Sequence, residues 1–323
     1  MRREGKQASF AEALVAGGGN RRLEAIDQLV DWASVERVLA PVYAAPTGRA
    51  SYPVLSLFKA VLLGAWHGLG DPELEAALAD RLSFRRFTGL ALDKPVPDHS
   101  TLWRFGDQLR QLKLSDALFA EVNRQLEGHG VVVKAGTLAD ATLIPAAAAE
   151  PPKQKGGGRS MADPDAAWAK RAKGGAHFGY KLHAGVDAGC GIVRRAQLTP
   201  ANVNEITVGP ELVVGDEGSV WGRQGLCRPD HGRGDRGGRR QKPGAATQPE
   251  KPAPARLGAA PQCADRPGAG PGGGRLWRAE AILRPGASAI YALDMSLARN
   301  ATGVLLTLTG WNLARAADRL RPT

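Results

Sequence analysis

Residues 131–145 read VVVKAGTLADATLIP, and residues 177–205 read HFGYKLHAGVDAGCGIVRRAQLTPANVNE. Upstream of them apolar residues recur at helical spacing; here the period becomes extended, with β-branched side chains gathered in VVVKAGTLADATLIP, YKLHAGVDA and GIVRRAQLTP. Three successive strands are predicted. GVDAGCG, with glycines flanking Asp187, has the chemistry of a hairpin turn joining the second strand to the third. The first strand carries a carboxylate, Asp140, among apolar residues, where it must be paired, protonated or bound to a metal. A hydrogen-bonded polar group is the commoner outcome for a strand aspartate, and the metal role stands beside it as the alternative.

Working towards the N-terminus, LVDWASVERVLAPVY (29–43), PVLSLFKAVLLGAWHGL (53–69), DPELEAALADRL (71–82), STLWRFGDQLRQL (100–112) and SDALFAEVNRQLEGHG (115–130) each place apolar residues three and four apart. They predict a helical domain. Asp71, before Pro72 and Glu73, is expected to supply an N-cap oxygen, and Ser115 with Asp116 a similar start signal. Arg81, Arg85, Arg86 and Arg104 among these short helices suit a helix-turn-helix-like DNA reader; a helical bundle with solvated arginines fits the same pattern.

Between the first two strands, residues 146–175 are polar, glycine-rich and basic, which predicts an exposed loop whose Lys153, Lys155 and Arg159 could touch phosphate. His177 and His183 lie six apart on one strand face and could ligate a metal, although no third ligand has suitable spacing and a structural role is the commoner one. Asp216 and Glu217, after the apolar run ELVV, could act as acids or simply face water. GPGGGRL (270–276) lacks the preceding strand and the Lys-Ser/Thr of a phosphate-binding P-loop. From Met295 onward, SLARNATGVLLTLTGWNLARAADRL predicts a closing helix packed on the sheet.

The 323 residues, 43% hydrophobic and 23% charged, suffice for two domains. Three cysteines without a C-x-x-C pair exclude a disulfide scaffold and a cysteine zinc finger. No apolar run approaches the ~18–20 residues of a membrane span, and MRREGKQASF lacks the apolar core of a signal peptide, so a soluble cytoplasmic protein is expected. The net charge of +11 points to nucleic acid, but its distribution tempers that. Residues 222–292 hold 13 Lys and Arg against 5 Asp and Glu, with 14 Gly and 9 Pro and only 8 large apolar residues. Such a stretch cannot bury a core and predicts a disordered basic segment.

PDHSTLWRF, GTLADATLIP, HFGYKLHAGVDAGCGIVRRAQLTPANVNE and LARNATGVLLTLTGWNLARA together resemble bacterial insertion-sequence transposases of the DDE type, of the IS four / IS five-like group. The resemblance spans roughly residues 10–221 and 295–318. It implies a mixed α/β fold: a helical N-terminal domain (1–130) that binds DNA, a ribonuclease-H-like catalytic domain beginning at 131–221, a Gly/Pro/Arg-rich segment (222–294), and a C-terminal helix of the catalytic domain (295–323). Asp140 matches the family's first catalytic and metal-binding aspartate. The resemblance further implies Mg²⁺ or Mn²⁺, metal-dependent DNA cleavage and strand transfer, double-stranded DNA as partner through Arg81, Arg85, Arg86, Arg104 and Lys181, a homo-oligomer on that DNA, no membrane, and a cytoplasmic, nucleoid-associated location. A non-catalytic DNA-binding protein competing for transposon ends is the alternative.

Two family motifs are missing. GDEGSVW (215–221) should lead into an Ala-Asp-Lys-Gly-Tyr-like strand, but GRQGLC follows; the Val-Glu-x-x-Phe-like helix with the third carboxylate is absent as well. A one-base shift of suitable codons for residues 222–227 reads Ala-Asp-Lys-Gly-Tyr, and the same shift over residues 272–281 reads Val-Glu-Ala-Val-Phe. On this frame-disruption reading the codons of the lost catalytic positions overlap those of Arg223 and Gly273, the domain is incomplete, and normal frame resumes between about Ala292 and Met295.

Overall fold

The computed structural model describes residues 20–43, 52–152, 160–170, 174–222 and 296–320, together with the backbone of 262–264. The helical part comprises α1 (Arg21–Leu29), α2 (Trp32–Leu39) running into a 3₁₀ turn (Ala40–Tyr43), α3 (Val54–His67), α4 (Asp71–Asp80), α5 (Leu82–Thr88), α6 (His99–Gln111) and α7 (Leu114–Gly128). Apolar side chains such as Phe58, Leu63, Leu78, Phe84 and Phe105 close one core between them. The expected helix over 29–43 is broken near Asp31. Its carboxylate accepts the amides of Ala33 at 3.1 Å and Ser34 at 3.4 Å, so it ends one helix and caps the next. Helices α1 and α5 are short pieces that apolar spacing did not single out.

Two expected start signals are corrected. The N-cap of α4 is Gly70, whose N–H is accepted by Glu73 Oε2 at 2.9 Å; Asp71 is already inside the helix. Helix α7 starts one residue ahead of Ser115, after Lys113 in the left-handed region (φ 53), and Ser115 is buried in its first turn.

The sheet is built from β1 (Thr137–Pro145), β2 (Ala167–Lys170), β3 (Ala176–Asp187) and β4 (Val193–Pro200), then, beyond α8 (Glu205–Leu212), from β5 (Ser219–Gly222) and β6 (Gln262–Ala264). β3 pairs antiparallel with β1 and with β4, whereas β5 lies parallel to β1 and β6 parallel to β5. Three long antiparallel strands followed by parallel additions on the far side of β1 form a ribonuclease-H-like mixed α/β sheet. Strand β2 and the buried Ala148, Ser160, Asp163 and Ala166 correct the expectation of an exposed loop over 146–175. The chain returns there because Tyr180 Oη donates to Asp163 Oδ1 at 2.6 Å inside the core, and Asp163 also accepts the Ala166 amide. Lys153, Lys155 and Arg159 lie outside the described residues, as do Arg223, Gly273 and nearly all of the segment expected at 222–294.

The expected closing helix is α9 (Leu297–Arg319), and it does more than cover the sheet. Val304, Leu305 and Leu308 join the sheet core with Phe178, Tyr180 and Leu182; Leu306, Leu313, Ala316 and Ala317 join the helical core. A helix buried on so many sides lies between two layers rather than on a surface. Polar groups fix its register. Trp311 Nε1 donates to Gly191 O at 3.3 Å, Arg315 Nε to Cys190 O at 3.0 Å, and Asn312 both accepts from Val193 N and donates to Val193 O. The receiving turn is held by Asp187, which accepts the amides of Gly189, Cys190 and Lys134 at 2.8–2.9 Å. That turn is the hairpin expected at GVDAGCG.

Candidate active site

Asp140 sits half-buried in β1, opposite Ala184 of β3. Cross-strand partners share a sheet face, so Asp140 lies with Leu138, Leu182 and Tyr180 on the face that α9 covers. The parallel β1–β5 ladder runs Thr137↔Val220, Leu138↔Trp221, Ala139↔Gly222. It ends one residue before Asp140 on one strand, and on the other at the residue before Arg223.

The base of this parallel pair is locked by charge. Glu217, whose side chain is fully buried, accepts the Thr137 hydroxyl and the Val214 amide at 2.8 Å and the Gly215 amide at 2.6 Å. Thr137 opens β1 and Glu217 precedes β5, so these bonds set the register of one strand against the other. Burial pushes the Glu217 carboxyl up, but the hydrogen bonds from Val214 and Thr137 outweigh it and hold the group below its ordinary value. Beside it, Arg194 grips Asp216 with both Nη atoms at 2.7 and 2.8 Å, and Lys134 adds a second cation at 2.9 Å. The Arg194 and Lys134 bonds hold Asp216 well below the usual carboxylate range. Asp216 is exposed, as a turn acid would be, whereas Glu217 is buried; both are committed to structure through these bonds. Arg194 was not visible as their partner in the sequence, since no periodicity links residues so far apart.

The two strand histidines do not form a metal pair. His177 and His183 share a face, as expected, but six residues of strand separate them by about 20 Å. His183 is buried against Thr199 Oγ1 at 3.0 Å, and burial, with Lys181 nearby, lowers its pKa to about 4. Among the described residues no cluster of three or more His, Cys, Asp or Glu side chains could hold a metal. Divalent ions such as Mg²⁺ need several oxygen ligands, and Asp140 alone does not supply them. The donor set described here does not fit a two-metal centre.

The basic residues expected at DNA are spread out. Lys181 donates to Val203 O at 2.9 Å and, at odd register from Asp140, lies on the opposite sheet face. Arg85 is a correction: its Nε donates to Leu78 O at 3.1 Å and its Nη1 to the carbonyls of Ala91 at 2.7 Å and Lys94 at 3.1 Å. It staples a loop rather than offering an open cation. Arg81 lies over the Phe84 ring at 5.0 Å, and Arg86 pairs with Glu24 at 3.4 Å. Exposed Arg104 touches Ser100 Oγ at 2.8 Å. No helix among the described residues is long and apolar enough to cross a membrane.

A helical domain followed by a ribonuclease-H-like sheet with an aspartate in its first strand is the architecture of a DDE recombinase. Residues 12–108 match the family model described as Transposase domain (DUF772), and residues 133–235 match the Transposase DDE domain. The chain belongs to the DDE transposases of insertion sequences. The second match runs about a dozen residues past Gly222 and stops inside the Gly/Pro/Arg-rich stretch; α9 lies beyond both matches. No solved structure matches the chain.

Proposed function

We propose that this chain is an insertion-sequence transposase, of the IS four / IS five-like group, that retains the scaffold for DNA transposition but has lost, or nearly lost, DNA cleavage and strand transfer. The observation that carries this is the end of the β1–β5 ladder. Asp140 occupies the first carboxylate position, and where β5 ends the sequence continues Arg223-Gln-Gly-Leu-Cys, with no acid until Asp230. The family's second aspartate belongs at that strand end. A cation and a glycine in place of two anionic anchors remove most of the charge that would hold Mg²⁺ or Mn²⁺. Frame disruption over about 222–294 accounts for both losses together, and α9 supports it: its side chains fit both cores in detail, as residues translated in the original frame should. Partners on this reading are double-stranded DNA and further copies of the chain, in the bacterial cytoplasm at the nucleoid.

The test has two parts. Sequencing the coding DNA from Trp221 to Met295 should give both missing motifs in one adjacent frame. Incubated with Mg²⁺ or Mn²⁺ and a supercoiled plasmid carrying the element ends, this chain should nick no faster than its Asp140→Asn variant. Metal-dependent nicking that Asp140→Asn abolishes would show catalysis intact and defeat the proposal. The intact helical core favours a second reading, a non-catalytic DNA-binding protein that competes for transposon ends; it predicts inhibition of an intact transposase added to the same assay.

A further inference from the structure

The exposed face of α6 carries a large aromatic side chain that no core needs. Trp103 is 49% exposed, while its neighbours Leu102 and Phe105 are buried. The guanidinium of Arg299, from the first turn of α9, lies 5.1 Å from the Trp103 ring centroid. Asp107, one turn further along α6, holds Arg299 at 3.4 Å and Arg110 at 2.8 Å. Exposed Arg104 follows the tryptophan on the same helix, and three cations, Arg104, Arg110 and Arg299, stand here against Asp107 and the exposed Asp98 and Asp165 at the starts of α6 and α9. Asp107 is mostly covered and keeps two of those cations in fixed places before any partner arrives.

The position of this patch relative to Asp140 can be read from α9. Its first residue, Leu297, donates its amide to Asp165 at 3.0 Å, and Asn300 lies at the Tyr180 hydroxyl. Tyr180 pairs with Ile144, next to the last residue of β1. The far end of α9 reaches Gly189 through Arg319, beside the hairpin that adjoins the start of β1. Helix α9 therefore begins at the carboxyl end of β1. Asp140 precedes Ile144 by four residues, about 13 Å of strand, on the face that α9 covers. The Trp103–Arg299 patch thus marks the same end of the sheet towards which β1 and β5 both run, where open α/β sheets commonly take their ligands.

The geometry points to Trp103, Arg104 and Arg299 as a DNA-docking surface spanning both domains, with phosphates on the arginines and the indole against sugar or base. This rests on the transposase reading above. Guanidinium groups next to an exposed indole fit a phosphodiester backbone better than an apolar partner, and cations held in place hold phosphates in register. Trp103 and Arg299 were not among the residues the sequence singled out for DNA; only Arg104 was.

The test uses the full chain with a fluorescein-labelled duplex copied from the DNA flanking its coding sequence. A photoreactive side chain introduced as Trp103→p-benzoylphenylalanine should cross-link to the duplex on irradiation, whereas Ala120→p-benzoylphenylalanine, exposed on α7, should not. Arg104→Ala should weaken binding by roughly threefold to tenfold and reduce the slope of log affinity against log salt by ~0.9, the loss of one phosphate contact. If the chain binds DNA but position 103 yields no cross-link and Arg104→Ala leaves affinity and slope unchanged, this surface is not the interface, while the transposase reading survives. If the unmodified chain binds no duplex at all, the DNA-binding reading itself fails. Cross-linking of position 103 to protein alone also overturns the proposal.

Discussion

Replacing Asn312 by alanine tests whether α9 joins the two layers into one folding unit. Asn312 is wholly buried, accepts the Val193 amide at 2.9 Å, and donates at 2.8 Å to both Val193 O and Asn123 Oδ1. Asn123 in turn donates to Val193 O at 3.1 Å, so that carbonyl keeps one partner after the substitution. The Val193 amide keeps none. Three lost hydrogen bonds at ~1 kcal/mol each, plus ~1–2 kcal/mol for stranding a buried N–H, come to about 4–5 kcal/mol. Against the usual ~5–15 kcal/mol of a folded domain this is a large share. In urea, with a slope of ~3 kcal/mol per molar, the midpoint should fall by about 1.5 M. Because α9 packs into both cores, circular dichroism, which follows the helices, and pulsed hydrogen exchange of the β3 amides across the same urea series, which follows the sheet, should shift together. A shift below about 0.3 M, or one confined to either probe, would refute the account of α9 as a shared element.

Three further outcomes follow from particular contacts. His183 is lowered to about 4 from an ordinary ~6.5, so its folded form stays neutral where the unfolded form takes up a proton; its share of stability is complete above about pH 6.5 and is lost as pH falls towards 4, on the order of 3 kcal/mol, measurable as the difference between chemical denaturation at pH 7 and pH 4 in the parent and in His183→Gln. Gly185→Ala should destabilise by ~1–3 kcal/mol, because a Cβ there would run into the Leu212 carbonyl at the end of α8, and hydrogen exchange should rise in α8 before α1. Arg85→Ala should speed proteolysis in residues 91–94, whose carbonyls it holds, whereas Arg104→Ala should leave that loop protected.

Much of this architecture was legible because long elements repeat a period. The strand predicted over 131–145 forms from 137, the one over 191–200 from 193, and the closing helix runs within a residue or two of its expected bounds. What could not be read depends on partners distant in sequence. Arg85 and Arg104 are chemically identical on short helices, and only the path of residues 91–94 decides that one is a staple and the other stays open. Asp216 and Glu217 looked like a surface turn because nothing local announces Arg194 or Thr137. Strand β2 was missed because Asp163 finds Tyr180 across 17 residues of chain. At the candidate site the sequence showed Asp140 and the missing motifs, since both lie within contiguous stretches; the electrostatic lock beneath it became visible only in three dimensions.

The place of α9 in the chain bears on how the protein is made. Helix α1 and helix α9 meet through Arg22 and Asp318, residues 296 apart, and both cores remain open until residues 297–319 have left the ribosome. Contacts of such long sequence separation form late. The emerging chain must wait with Leu, Phe and Val surfaces uncovered, available to chaperones and proteases, for as long as its middle takes to synthesise. Synthesis that stops short of α9 would leave an apolar groove as its permanent surface, a form that cellular quality control clears readily.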